Sequence, residues 1–465
     1  MAVDSAGVEE VTASGESASA EAALAASDAW PTPRAAWYTV FVVALTAMFA
    51  QLDLGIMSLL VEPIKHDLHL TDTSMSLLLG PAFALFYTFI GIPVARYIDR
   101  NRRTIILSLG LALWSLATAC CGIAQGFGQL FACRVGVGAG EAVNGPAVFS
   151  LIADSFPKER LPRAIAVMQL GVVAGSGLAL LLGGFVIHLL LALPPIALGG
   201  LIVIHSWQLV FIAVGLPGLA VALLVATTVR EPRRRGLEAV GQIDVSLTAV
   251  VGYLVGKWRL FAPMFGGLTL GALALGAQSW MPAFYQRTYG WQPAKIGMVL
   301  GVAQLIAMPL GLLIGVRFAE LFDRHRLEDA PLRTVIISRF IGIPAQVAMP
   351  LMPNPWLAVT CGALASLSIG FGGASQNAAL QIVTPNQMRG QVTALYLFIF
   401  NVIGMGLGPT VAALLTDYVF RAESELCYAL LVLQAVVGPL SLAVIWLGVK
   451  PYVREVLRLK SLKAI

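Results

Sequence analysis

The sequence predicts an all-α integral membrane protein of twelve transmembrane helices, arranged as two pseudo-symmetric six-helix bundles. Three observations carry that prediction. Of 465 residues, 58% are hydrophobic and only 12% charged, against about a quarter in an average soluble domain. The apolar residues gather into twelve runs, each long enough to cross a bilayer, which takes about 20 residues of helix. The basic residues, 30 of them, fall mainly on alternate connections. Together these exclude a soluble enzyme, a nucleic-acid module and a secreted disulfide scaffold.

Residues 1–30 carry Asp4, Glu9, Glu10, Glu16, Glu21 and Asp28 with no basic residue before Arg34, and read as a disordered acidic tail. They lack the basic start and apolar stretch of a signal peptide, so the first span must direct insertion. The spans are expected at 36–61, 74–95, 104–123, 129–153, 164–190, 207–229, 261–284, 296–321, 334–352, 356–382, 391–415 and 427–448. The tails and the even-to-odd connections hold 23 of the basic residues, and the opposite side has only Lys65, Arg287, Lys295 and Arg421. This bias places both termini in the cytoplasm and accounts for the net charge of +5 without a nucleic-acid partner. The five cysteines, Cys120, Cys121, Cys133, Cys361 and Cys427, sit in or beside apolar runs and read as small core residues.

The longest polar connection opens with Arg230, Glu231, Pro232, Arg233, Arg234 and Arg235, and divides an N-terminal bundle at 31–229 from a C-terminal bundle at 259–449. Within this 230–258 linker, Ile243, Leu247, Val250, Val251 and Leu254 share a helical face, which suits a short helix lying at the inner interface. The basic tail at 450–465 invites the same interfacial reading. Gly91 with Asp99 and Arg100 is matched by Gly315 with Asp323 and Arg324, each displaced by 315 − 91 = 224 residues. That recurrence supports an internal repeat, and paired halves around a central site are common in secondary transporters.

Asp99, Arg100, Asn101, Arg102 and Arg103 resemble the signature loop of the major facilitator superfamily, Gly-x-x-x-Asp-Arg-x-Gly-Arg-Arg. Asp99, Arg100 and Arg103 match, while Ala95, Arg102 and Thr104 depart from it. Within that superfamily the chain resembles the spinster family and its bacterial relatives. The resemblance lies in Asp53 with the stretch VEPIKHDLHLTDTSMSLLLGPAFALFYTF, in CRVGVGAGEAVNGPA, in Arg230-Glu231-Pro232 and in VTPNQMRGQVTALYLF, and covers 35–450. It implies a monomeric carrier in a bacterial inner membrane that moves an amphipathic organic or lipid-like small molecule by alternating access. It also implies a gating role for Asp99, Arg100 and Arg103 with Asp154 and Arg160, and for Asp323 and Arg324 in the second half. Topology plus weak surface ion pairs is the alternative account of those charges.

Four ionisable residues fall deep inside spans: Asp53, Arg134, Glu141 and Arg339. Each costs about 2.5–3.5 kcal/mol at a helix centre, so each needs a partner or a wet cavity. Arg134 and Glu141 are seven positions apart, about 20° short of two turns and about 10 Å along one face. Depth places Asp53 within reach of Arg134. Spinster-like proteins carry an Asp-Arg pair in helix 1 and a buried Glu in helix 4, and the resemblance implies proton coupling through Glu141, Asp53 and Arg134. Leu54 stands where that family has Arg. A static ion network that fixes helix packing remains the other reading.

Gln51, Tyr87, Asn144, Gln169, Gln278, Trp280, Asn377, Tyr396 and Asn401 are polar or aromatic at mid-span and are candidates for the substrate cavity, with interhelical hydrogen bonding as their alternative role. The glycine series Gly171, Gly175, Gly183 and Gly184, with Ser176, is reminiscent of the superfamily's antiporter motif and leans toward export. The sequence has no phosphate-binding loop, no metal-ligand spacing and no nucleophile motif, so neither cofactor, metal nor enzymatic chemistry is expected. Proton-coupled transport leads, with a passive facilitator or an uptake symporter of small organic acids as alternatives.

Overall fold

The protein is seen in a computed structural model that describes residues 30–157, 159–194, 196–198, 202–234 and 246–463. The acidic tail up to residue 29, Lys158, Arg235 and Ile243 lie outside the described residues.

Among the described residues, twelve helices are long and apolar enough to cross a membrane: Pro33–Leu59, Asp72–Arg100, Arg103–Cys121, Phe127–Ser155, Leu161–Leu190, Ser206–Thr228, Trp258–Tyr289, Pro293–Arg324, Ala330–Leu351, Pro355–Ile382, Asn386–Phe420 and Glu423–Ser461. They are spans 1–12 below. An even number of crossings leaves Pro33 and Lys463 at one end of the bundle, the terminal end; the other is the far end.

Local chemistry sets the boundaries and breaks. Thr32 caps span 1, its hydroxyl accepting the Ala35 amide, and Pro33 occupies the first turn, where its missing N–H goes unneeded. Span 2 breaks at Gly80, where an added Cβ would lie 2.1 Å from the Gly406 carbonyl oxygen of span 11. Only glycine permits that approach. Span 4 breaks at Ala142 and Val143, directly after Glu141. Pro146 explains the break, because its ring collides with the carbonyl four residues back. Span 7 changes to a 3-10 turn at Ala277–Trp280, ahead of Pro282, and span 11 widens into π-helix over Phe400–Gly406. Discontinuous helices inside a membrane expose backbone and side chains where they line cavities.

The last span runs as one helix from Leu426 to Lys463, although the sequence places its end near 448. The extension stays ordered by packing. Tyr452 and Val456 are buried with Val250 of the linker helix Leu247–Gly256 in one apolar cluster, and Glu455 pairs with Lys257. Between spans 5 and 6, strands β1 (Ile196–Leu198) and β2 (Ile202–Ile204) pair antiparallel with Ile196 opposite Ile204.

Three apolar clusters make up the core. One includes Val43, Leu111, Ile152 and Val225, all in spans 1–6. A second includes Leu260, Val335, Leu380 and Tyr452, in spans 7–12 and the linker. The third joins both halves, packing Ile56, Leu60 and Val61 with Trp280, Phe284, Trp291 and Leu430 at the far end. Spans 5 and 8 cross the boundary on glycines: a Cβ on Gly177 would meet the Leu305 amide nitrogen at 2.4 Å, and one on Gly184 the Ala294 carbonyl oxygen at 2.8 Å. Small residues let the backbones touch, which supplies the van der Waals attraction that lipid cannot compete away.

Candidate transport site

Asp53 and Arg134 form an ion pair at 2.5 Å in the first half, both almost fully buried. Thr118 donates to the other Asp53 oxygen at 2.6 Å, and Arg134 Nε reaches the Leu78 carbonyl at 3.4 Å. The guanidinium lies over the Phe83 ring at 5.8 Å. Glu141 is 4% exposed, and its Oε1 has no hydrogen-bond partner. It sits on the wall of a cavity of about 370 Å³ with Gln51, Tyr87, Asn144, Gln169 and Asn401. The break in span 4 puts the carboxyl at a helix end facing that cavity.

A second, central cavity of about 220 Å³ lies between the halves. Gln51, Ser58 and Ser176 from the first half face Gln278, Gln304 and Gln346 from the second, interleaved with apolar residues such as Leu54, Leu180 and Leu300. Ser58, Gln304 and Gln346 were missed in the sequence, where isolated polar residues carried no periodic signal. Three expected cavity residues are placed elsewhere. Trp280 is fully buried and donates its indole N–H to the Pro409 carbonyl at 2.9 Å. Tyr396 is 1% exposed and holds the Gln376 amide, while Asn377 is exposed and lines none of these cavities. Both rings are large enough to serve as core, and the packing uses them so.

Arg103 is fully buried and pairs with Asp154 and with Glu231, the latter at 2.7 Å. It also donates to Ser150 and to the Pro232 carbonyl at 2.7 Å. All these partners belong to the first half or to the linker leaving it, so the residue braces one bundle rather than bridging two. Glu231 additionally accepts the Thr104 amide and hydroxyl, each at 2.9 Å, at the amino end of span 3, where a carboxylate opposes the helix dipole favourably. Burial would push the Glu231 carboxyl up, but these hydrogen bonds and the Arg103 charge outweigh it and hold the group below its ordinary value. Asp99, Arg100, Arg160, Asp323 and Arg324 are exposed at the terminal end, and Asp99 makes no ion pair among the described residues.

The charges that join the halves lie at the far end. Arg287 of span 7 bonds Glu62 through Nε at 2.8 Å and grips Asp72 with both terminal nitrogens at 2.6 and 2.7 Å. Lys65 pairs with Asp72 and lies 3.1 Å from Glu423. Asp417 accepts the Thr73 amide and hydroxyl at 2.8 and 2.6 Å. In the sequence Lys65 and Arg287 are only residual charges on the sparse side; the clue available there is that six carboxylates, Glu62, Asp67, Asp72, Asp417, Glu423 and Glu425, share that side. The bundle is thus closed at the far end by apolar packing and ion pairs, while Asp99, Arg100, Arg160, Asp323 and Arg324 are exposed at the terminal end.

The family model of the Major Facilitator Superfamily matches residues 43–409. The chain belongs to the major facilitator superfamily. It is 30% identical over 437 residues, 91% of this chain and 95% of the relative, to a protein described as an MFS-type efflux pump of Mycolicibacterium smegmatis (strain ATCC 700084 / mc(2)155). It is 22% identical to a probable L-galactonate transporter of Escherichia coli (strain K12), over 82% of this chain and 83% of that one. Among solved structures, it shares the fold of a bacterial homolog to the human lysosomal transporter Spinster, captured inward-facing and unoccupied. That likeness has a TM-score of 0.75 and 23% identity, and covers 92% of this chain and 98% of the other. This superfamily member is a membrane transporter with a spinster-like fold.

Proposed function

We propose that this protein is a proton-coupled secondary transporter that moves an amphipathic organic or lipid-like molecule by alternating access. The halves 31–229 and 259–449 rock about the central cavity, the terminal end is cytoplasmic, and the conformation described above faces inward. The observation that carries the coupling is Glu141: a buried carboxyl with an unpartnered oxygen, on the wall of a polar cavity, beside the Asp53–Arg134 pair. Such a group takes a proton on one side and releases it on the other as its surroundings alternately wet and dry, while the neighbouring pair tunes its affinity by charge. Arg134 supplies the counter-charge to Asp53 that Leu54 does not.

Export is supported by the likeness to an efflux pump. The mixed apolar and amide lining of the central cavity suits an amphipathic molecule. The likeness to a probable L-galactonate transporter favours a second reading, uptake of small organic acids. In proteoliposomes with a trapped pH dye, lysophosphatidylcholine, ethidium, decanoate and galactonate are tested for proton flux and for exchange. Glu141→Gln is expected to abolish gradient-driven transport while sparing exchange; intact gradient-driven transport in that variant sinks the coupling scheme. The direction of the substrate-induced proton flux separates export from uptake.

A further inference from the structure

The fourth mid-span charge, Arg339, half-buried on a cavity wall, takes no part in the site described above. It lies at the middle of span 9, on the wall of a separate cavity of about 160 Å³ enclosed by spans 7, 9, 10 and 11. No hydrogen bond or ion pair engages its guanidinium among the described residues. Between 258 and 449 acidic residues occur only at 320–329 and 417–425, the two ends of the bundle, so no carboxylate of this half can reach it at mid-span. Apart from Gln346, the other polar side chains of the cavity are already committed. Ser338 donates to the Val335 carbonyl at 2.7 Å, Ser368 to the Ser338 carbonyl at 2.5 Å, and the Gln376 amide to Tyr396.

The cavity is cut to seat the guanidinium. A Cβ on Gly271 would fall 2.3 Å from Arg339 Nη2 and 2.6 Å from its Cζ, so the head group rests directly on the span 7 backbone. Gly342 and Gly372 likewise leave room only because they lack a Cβ, with Ser368 and Ser338 hydroxyls at 2.3 and 2.4 Å from that position. A planar cation with five donors, held against a bare backbone and lacking a protein counter-charge, matches the geometry of a carboxylate or phosphate. Gln346 lines both this cavity and the central one, so the two adjoin. In the first half Arg134 has its own carboxylate, Asp53; in the second half Arg339 has none among the described residues.

We propose that Arg339, seated on Gly271, binds the acidic head group of an amphipathic substrate, a carboxylate or phosphate, while the apolar body of that substrate occupies the central cavity. This rests on reading the protein as a carrier of amphipathic molecules and names their charge. The head enters past Gln346, and the residues it meets make the carrier selective for anions over neutral analogues of the same length.

The test is equilibrium binding to the purified full chain in neutral detergent, followed by tryptophan fluorescence and thermal unfolding. The probes are decanoate, decyl phosphate, decanol and inorganic phosphate. Decanoate, decyl phosphate or both are expected to bind the wild type saturably, with affinity at least tenfold lower in Arg339→Gln, while decanol affects both proteins equally. Inorganic phosphate, lacking the apolar body, is expected to bind at least tenfold more weakly than decyl phosphate. Without ligand, Arg339→Gln is expected to melt above the wild type, because it removes an unpaired charge from the middle of a span; a purely structural arginine would give the reverse. Equal acid binding by wild type and Arg339→Gln overturns the proposal, as does the absence of acid binding by the wild type. Should Arg339→Gln not fold, Arg339→Lys keeps the charge without the planar fork, and must still prefer the acids to decanol. No gradient is involved, so the outcome is independent of the Glu141 experiment.

Discussion

Replacing Arg287 by Gln removes the central cation of the far-end cluster while keeping a polar side chain of similar length. Its guanidinium is 7% exposed and makes two bonds to the fully buried Asp72 and one to Glu62. Taking one partner from a buried pair costs about 3–5 kcal/mol, because the remaining charge stays desolvated. Lys65 still serves Asp72, and Glu62 and Glu423 are 29% and 59% exposed, so the lower figure of about 3 kcal/mol applies. In the alternating-access scheme proposed above, the loss falls only on the state in which the far end is closed; once that end opens, water solvates these groups whether or not Arg287 is present. At about 1.4 kcal/mol per tenfold, the balance between the two states moves about a hundredfold toward far-end-open. Spin labels at His69 and Gln292, both exposed on opposite halves of the far end, report this when the five native cysteines have been replaced. The distance distribution is expected to gain a longer component in Arg287→Gln, and an unchanged distribution would refute the assignment of this cluster as the far-end lock.

Two further outcomes follow from the buried ionic groups. Arg134→Ala leaves the Asp53 carboxylate buried with only the Thr118 hydroxyl, so thermal unfolding should show a loss of about 3–5 kcal/mol; the double change Asp53→Asn with Arg134→Gln should cost clearly less, and equal losses would argue against the pair. Glu231 is held below its ordinary value of 4.5, so its contribution to stability is full above that value and disappears as pH falls through the lower folded value. Melting curves of wild type and Glu231→Gln are therefore expected to diverge at neutral pH and converge in acid.

Asp53, Arg134 and Glu141 were legible one at a time in the sequence because a charge inside an apolar run is costly enough to stand out against its background. Spacing along one helix put Arg134 and Glu141 on a shared face, and depth brought Asp53 near them. Neither spacing nor depth could say that Arg134 would go to Asp53 and leave Glu141 with a free oxygen; that depends on how span 1 packs on spans 3 and 4. Amide and hydroxyl residues were less readable. Gln51 and Gln278 line the central cavity while Trp280, two positions past Gln278, is core, because residues two apart on a helix point to opposite faces.

The sequence by itself determined the twelve spans, the two-half architecture and the short inventory of mid-span charges. Each is a consequence of the bilayer as solvent, which demands about 20 apolar residues per crossing and penalises every charge within it. Tertiary structure alone decided which end of the bundle is closed. The Arg287, Asp72, Glu62 and Lys65 cluster and the glycine contacts of Gly80, Gly177 and Gly184 join segments separated by more than a hundred residues, and no local pattern encodes such meetings. It also decided that Arg103 braces a single bundle, and that Arg339 faces a cavity with no carboxylate of its own. A linear pattern records what each residue must pay to enter the membrane; only the packed bundle shows which of them find a partner there.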